Sequence, residues 1–110
     1  MHVLLTGATG FIGQRLCRQL QSQDHQLTVV SRSVRRAESA LPGVTAIDWS
    51  QLDDPGALNG VDAVIHLAGE TVTGRWNAAK RARVRDSRVQ TTQCVVDAIL
   101  RAENGPEVLI

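Results

Sequence analysis

An α/β fold built on a doubly wound parallel sheet is predicted by three observations. Short apolar runs recur along the chain, segments of helical spacing separate them, and a glycine-marked turn joins the first run to the first helix. A run too short for a helix, buried on both faces, is what a parallel strand requires.

The first run, Val3-Leu4-Leu5, ends in Thr6-Gly7, after which Ile12, Leu16 and Leu20 predict one apolar helix face. Beyond the polar break Gln21-Ser22-Gln23-Asp24, the β-branched run Leu27-Thr28-Val29-Val30 predicts a second strand. The basic stretch from Ser31 to Leu41 has room only for a short helix, and Val44-Thr45-Ala46-Ile47 predicts the third strand. Asp53-Asp54-Pro55 carries a helix-start signal and predicts a brief helix ending near Asn59-Gly60. Ala63-Val64-Ile65 forms the centre of a fourth strand.

Neither Pro nor Gly interrupts the chain from Trp76 to about Ala102, and Val89, Thr92, Val96 and Ile99 mark the stripe of a long amphipathic helix. Asn104-Gly105-Pro106 stops it, and Val108-Leu109-Ile110 starts a fifth strand. Right-handed crossovers then give the sheet order 3-2-1-4-5, with ligands expected beyond the carboxyl ends of the first and fourth strands, where the winding reverses. Because the sequence ends within that fifth strand, the expectation is that residues 1–110 are the N-terminal piece of a longer domain, truncated at the fifth strand, with its substrate-binding and catalytic part absent.

Composition narrows the function classes. Apolar residues make up 43% of the chain and charged residues 21%, with a formal charge of +1, so bulk charge draws it neither to nucleic acid nor to a membrane surface. Met1 leads directly into strand-like sequence rather than a charged leader and apolar signal, which predicts a cytoplasmic, unprocessed protein. Cys17 and Cys94 lack metal-ligand spacing and are expected to be free thiols serving as small packing residues. The basic cluster Arg75, Lys80, Arg81, Arg83, Arg85 and Arg88 has no aromatic residue interleaved beyond Trp76, and it is read as a solvated helix face.

The chemistry is carried by Thr6-Gly7-Ala8-Thr9-Gly10-Phe11-Ile12-Gly13. Gly7 permits a tight turn off the strand, Gly10 lets backbone approach a pyrophosphate, and Gly13 lets the helix lie against the sheet. The unpaired amides and positive end of the helix then face the phosphates, as in a Rossmann-type dinucleotide site. No Gly-Lys-Ser/Thr follows, which excludes a Walker-type phosphate loop.

Where an acidic residue would hold the adenosine ribose of NAD, the sequence reads Ser31-Arg32-Ser33, with Arg35 and Arg36 nearby. No carboxylate opposes a 2′-phosphate. Arg32 offers it a charge-assisted fork, and Ser31 and Ser33 offer hydroxyls, so NADP(H) is favoured and NAD(H) is the alternative. Asp48 is a candidate either for the adenine amino group or for a helix cap, and Trp49 for packing. His66 reads as a satisfied strand-end histidine, and Leu67, Ala68 and Gly69 put small residues and bare backbone on the path of a nicotinamide ribose.

These motifs, with His66-Leu67-Ala68-Gly69-Glu70 and the run from Arg75-Trp76-Asn77 through Asp86-Ser87-Arg88 to Thr91-Thr92, resemble the short-chain dehydrogenase/reductase superfamily, specifically its extended and atypical epimerase-like members. The resemblance covers essentially the whole chain. It implies that Gly7, Gly10, Phe11, Ile12 and Gly13 surround the pyrophosphate, that Arg32 meets the 2′-phosphate, and that Leu67, Ala68 and Gly69 line the adenosine and nicotinamide side. It also implies catalysis by a Tyr-x-x-x-Lys pair after the fifth strand. This chain contains no tyrosine, so no catalytic residue is assigned to it and the 110 residues alone are expected to be inactive.

Two functional readings follow: the cofactor-binding part of an NADP(H)-preferring oxidoreductase or epimerase, or a non-enzymatic nucleotide-sensing module. No nucleic-acid or membrane partner and no metal site is expected, the substrate is not specified, and an uncovered fifth-strand edge would favour self-association.

Overall fold

The computed structural model describes residues 1–54, 56–67 and 78–110. The elements run β1 (His2–Thr6), α1 (Phe11–Ser22), β2 (Gln26–Val30), α2 (Val34–Ala40), β3 (Thr45–Ile47), a 3-10 helix (Trp49–Asp53), β4 (Ala63–His66), α3 (Ala78–Arg101) and β5 (Val108–Leu109). The strands form one parallel sheet in the order β3-β2-β1-β4-β5, as expected from the alternation of apolar runs and helices.

Alternation along the strands divides the core in two. Val3, Leu5, Leu27 and Val29 face one side, where Cys17 of α1 and Ala37 of α2 cover them. Leu4, Val30 and Val64 face the other, where Leu52, Leu58 and, from α3, Val95 and Ala98 cover them. Both faces of the central strands β1, β2 and β4 are therefore largely covered, which is why they read as continuous apolar runs rather than alternating ones, whereas β5 at the edge is exposed.

Three local expectations need correction. On α1 the buried positions are Gly13 and Cys17, with Leu16 and Leu20 partly buried, while Ile12 is 67% exposed. The first turn of the helix projects past the sheet end, so an apolar residue there has no strand beneath it. On α3 the buried stripe is Val95 and Ala98, flanked by Ile99 and Ala102, while Val89 and Thr92 are exposed. Among the described residues of α3, those packed against the sheet lie in its last turns.

The helix expected after Asp53-Asp54 is instead a 3-10 helix before it, started by Asp48. The Asp48 carboxylate accepts the Gln51 amide while the Gln51 side chain accepts the Asp48 amide, a reciprocal cap that outcompetes the later acidic pair. Asp54 serves a turn, its Oδ1 accepting the Gly56 amide at 2.9 Å. The expected helix start at Trp76 and the cation at Arg75 lie outside the described residues. Arg81, Arg83, Arg85 and Arg88 are exposed on α3, as a solvated face requires. Cys17 is buried, but Cys94 points to solvent rather than packing.

Candidate functional site

The carboxyl ends of β1 and β4 and the amino end of α1 meet at one edge of the sheet. Gly7 leaves β1 with φ of 70°, a left-handed conformation that a side chain would strain. Gly10 stands at the N-cap of α1 with extended backbone and no side chain to occupy the helix end. Its amide donates to the Gly7 carbonyl at 3.2 Å and its carbonyl accepts the Gln14 amide at 2.9 Å. Gln14 Nε2 also donates to the Thr9 carbonyl at 2.7 Å, so the bend is stitched to the helix it starts.

By position, the amides of Phe11, Ile12 and Gly13 have no acceptor within the helix, and no acidic side chain occupies the first turn. An anion is what such an end favours. Gly13 is buried against the turn, whereas Gly10 faces open space apart from the Gly7 carbonyl at 3.4 Å from where a Cβ would be. Phe11 and Ile12 stand exposed beside it, with the Arg15 guanidinium 6.0 Å from the Phe11 ring centre.

A second feature opens next to the first. At the end of β2 the Ser31 amide donates to the Ile47 carbonyl at 2.9 Å, and Ser31 Oγ accepts the Ser33 amide at 3.2 Å. Ser33 in turn caps α2, its Oγ accepting the Arg36 amide at 3.3 Å. This local bonding turns the chain so that Arg32, Arg35 and Arg36 border a groove of about 700 Å³, which Ser31, Ser39 and Thr9 also line. Three arginines and the hydroxyls of Thr9, Ser31, Ser33 and Ser39 border it, with no carboxylate among the described lining residues. Thr9 belongs to the glycine bend, so the groove opens beside the amino end of α1.

The third part is the end of β4. The Leu67 amide donates to the Thr6 carbonyl at 3.1 Å and to Thr6 Oγ1 at 3.0 Å, and its side chain is 39% exposed. His66 Nδ1 lies 2.6 Å from Thr6 Oγ1, and Nε2 lies 3.1 Å from Thr92 Oγ1 and 3.4 Å from Thr91 Oγ1. Burial pushes the His66 imidazole below its ordinary pKa, favouring the neutral ring. Ala68 and Gly69 lie outside the described residues. Asp48 is held as a cap, and its carboxyl pKa is lowered chiefly by the Ser50 hydroxyl and further by the Gln51 and Ser50 amides, against some desolvation.

A cleft with glycines at a β1–α1 bend, at the switch point of a parallel sheet, is the arrangement on which nucleotide-dependent enzymes are built. The family model for the NAD dependent epimerase/dehydratase family matches residues 3–110. The chain belongs to that family.

Among its relatives, the epimerase family protein SDR39U1 of Bos taurus is 38% identical over 113 residues, covering 100% of this chain and 35% of the relative. An epimerase family protein of Staphylococcus haemolyticus is 33% identical, covering 96% of this chain and 35% of the relative. The crystal structure of human SDR39U1, isoform 2, with NADPH superposes with a TM-score of 0.81 at 38% identity, covering 99% of this chain and 35% of that one. This epimerase-family chain therefore spans about a third of the length of the relatives it matches.

Most residues that the sequence singles out in this family member do meet in one place. Gly7, Thr9, Gly10, Phe11, Ile12 and Gly13 form the bend and helix end, Ser31 and Arg32 stand on the groove beside it, and Leu67 leaves the adjoining strand. Sequence reasoning places Thr6 at the head of the glycine motif but gives no role to its hydroxyl, which joins β1 to both His66 and Leu67. A threonine closing an otherwise apolar strand just before the glycine bend was the available signal. Ser39 was passed over, because only the helical turn of α2 brings it round to the arginines.

Proposed function

We propose that residues 1–110 are the NAD(P)-binding part of an epimerase-like protein of the short-chain dehydrogenase/reductase type, with NADP(H) preferred over NAD(H). The observation that carries this reading is the grouping of Arg32, Arg35 and Arg36 on the same groove as Thr9 of the glycine bend. A diphosphate at the amino end of α1 would leave its adenosine ribose near that groove, where a 2′-phosphate meets guanidinium donors and, among the described lining residues, no carboxylate. The NADPH-bound human relative, at 38% identity, supports the same assignment.

In this reading Gly7, Gly10, Phe11, Ile12 and Gly13 surround the pyrophosphate, Thr9 borders it, and Arg32 takes the 2′-phosphate with the Ser31 hydroxyl beside it. Leu67, Ala68 and Gly69 run along the adenosine and nicotinamide side. The bound nicotinamide would supply hydride transfer; the chain's own residues bind and orient it. With no tyrosine among the 110 residues, the acid/base work falls to a part of the whole protein outside them. A cytoplasmic location and self-association through the exposed Leu100, Val108, Leu109 and Ile110 belong to the same proposal.

Calorimetric titration of the full-length protein with NADPH and with NADH tests the reading. The expected result is NADPH binding tighter by about tenfold or more, the difference of ~1.4 kcal/mol that one charge-assisted contact supplies. Equal affinities would remove the case for NADP(H), and no binding of either would remove the site.

A further inference from the structure

We infer that His66 is a positioning residue for the nucleotide cleft, its two ring nitrogens tying the carboxyl ends of β1 and β4 to α3. The inference rests on the reading of that cleft as a dinucleotide site and adds a residue that stands behind it.

Three elements meet at His66. Nδ1 reaches across to Thr6 Oγ1 at 2.6 Å on β1, and Nε2 reaches Thr92 Oγ1 at 3.1 Å and Thr91 Oγ1 at 3.4 Å on α3. Below this level, α3 is held to the sheet by apolar contact through Val95 and Ala98. One turn nearer the ligand edge that apolar contact gives way to the two threonines, and the imidazole bridges the gap.

The bridge continues to the cleft. Thr6 Oγ1, which meets His66, is also an acceptor for the Leu67 amide at 3.0 Å, and the Thr6 carbonyl accepts the same amide at 3.1 Å. Leu67 is the first residue beyond β4 and one of the residues proposed to line the nucleotide. A rotation of His66 therefore shifts Thr6, which both opens into the Gly7 bend and anchors Leu67. Supporting residues of this kind matter because displacements well below 1 Å at a binding edge weaken a preorganised site.

The chemistry of the partners suits the task. A neutral imidazole has one N–H and one lone pair, while each threonine hydroxyl can give or take a hydrogen bond, so both nitrogens are served in either tautomer. Neither an aliphatic residue nor a lysine could make both contacts from that position. Burial favours the neutral ring that this arrangement uses.

The test uses the full-length protein and its variants His66→Leu, His66→Asn and Thr92→Val, each titrated with NADP+ and NAD+ and each melted in parallel. His66→Leu is expected to weaken both nucleotides alike, by about tenfold, since it acts on the shared edge of the cleft and not on the 2′-phosphate. His66→Asn places an amide where Nδ1 was and should restore most of that loss. Thr92→Val removes the shorter of the two α3 contacts and leaves the Thr6 contact in place, and should weaken both nucleotides by a smaller factor, which keeps the test available if His66→Leu does not fold. A lowered melting temperature with unchanged affinities in the folded variants would overturn the inference, as would loss confined to NADP+. Wild-type protein that binds neither nucleotide would overturn the cleft reading and this inference together.

Discussion

Gly13 of α1 lies directly against the backbone of Ala8: a Cβ at Gly13 would stand 2.7 Å from the Ala8 Cα and 2.9 Å from its carbonyl carbon. The obstacle is main chain, so it cannot swing aside. Gly13→Ala is expected to push the helix off the bend and destabilise the fold by about 1–3 kcal/mol, as overpacking does elsewhere. Gly10→Ala meets only the Gly7 carbonyl at 3.4 Å, an ordinary contact, and should leave the melting temperature near that of the wild type. Its methyl would nonetheless stand on the proposed path of the diphosphate, so nucleotide affinity should fall in Gly10→Ala while stability holds. Denaturant unfolding and calorimetry on the two variants separate these effects.

Arg32 tests the selectivity of the groove. Arg32→Glu replaces a donor with a carboxylate beside the proposed 2′-phosphate, and should weaken NADPH by tenfold or more, the ~1.5–3 kcal/mol of a charged hydrogen bond. NADH affinity should change little. Parallel titrations measure it, and equal losses for both nucleotides would remove Arg32 from the 2′-phosphate.

Stability should depend on pH through His66. Its pKa is lowered by burial in the folded chain, so the unfolded chain binds the proton more readily. The stabilisation that follows is present above the ordinary histidine range and is lost as pH falls through it toward the depressed folded value. Melting temperature should therefore drop on acidification from pH about 7.5 to about 5.5 by more in the wild type than in His66→Asn, whose amide does not titrate. Identical drops would place the pH dependence elsewhere.

The two cysteines should differ in reactivity. Cys17 is buried and its thiol pKa is raised by desolvation, whereas Cys94 is exposed on α3. Brief treatment of the native protein with an alkylating reagent, followed by peptide mass mapping, should mark Cys94 and spare Cys17. Unfolding in denaturant should expose Cys17 to the same reagent.

Much of the fold was legible because parallel strands buried on both faces must be continuously apolar. Val3-Leu4-Leu5, Leu27 to Val30 and Ala63-Val64-Ile65 stood out for that reason, and with them the strand order. The glycine bend was legible as well, since each of its glycines answers a separate steric demand. The helix faces were less so. Ile12 obeys the periodicity of α1 yet projects beyond the sheet, and on α3 the chain chose Val95 and Ala98 over Val89 and Val96, a choice set by where the sheet ends rather than by local spacing. The 3-10 helix was missed because the Asp48–Gln51 cap competes with Asp53-Asp54-Pro55, and composition does not rank the two. The tie from His66 to Thr6 and Thr92 joins residues 60 and 26 positions apart, a juxtaposition that only the folded sheet creates.

The central claim is that the bend from Gly7 to Gly13 presents backbone amides to a diphosphate. A crystal structure of the full-length protein grown with saturating NADPH tests it most directly. The account predicts phosphate oxygens within about 2.7–3.2 Å of the main-chain nitrogens at the start of α1, with the 2′-phosphate on the Arg32 side. Nucleotide seated elsewhere, with the amino end of α1 bare, would contradict it.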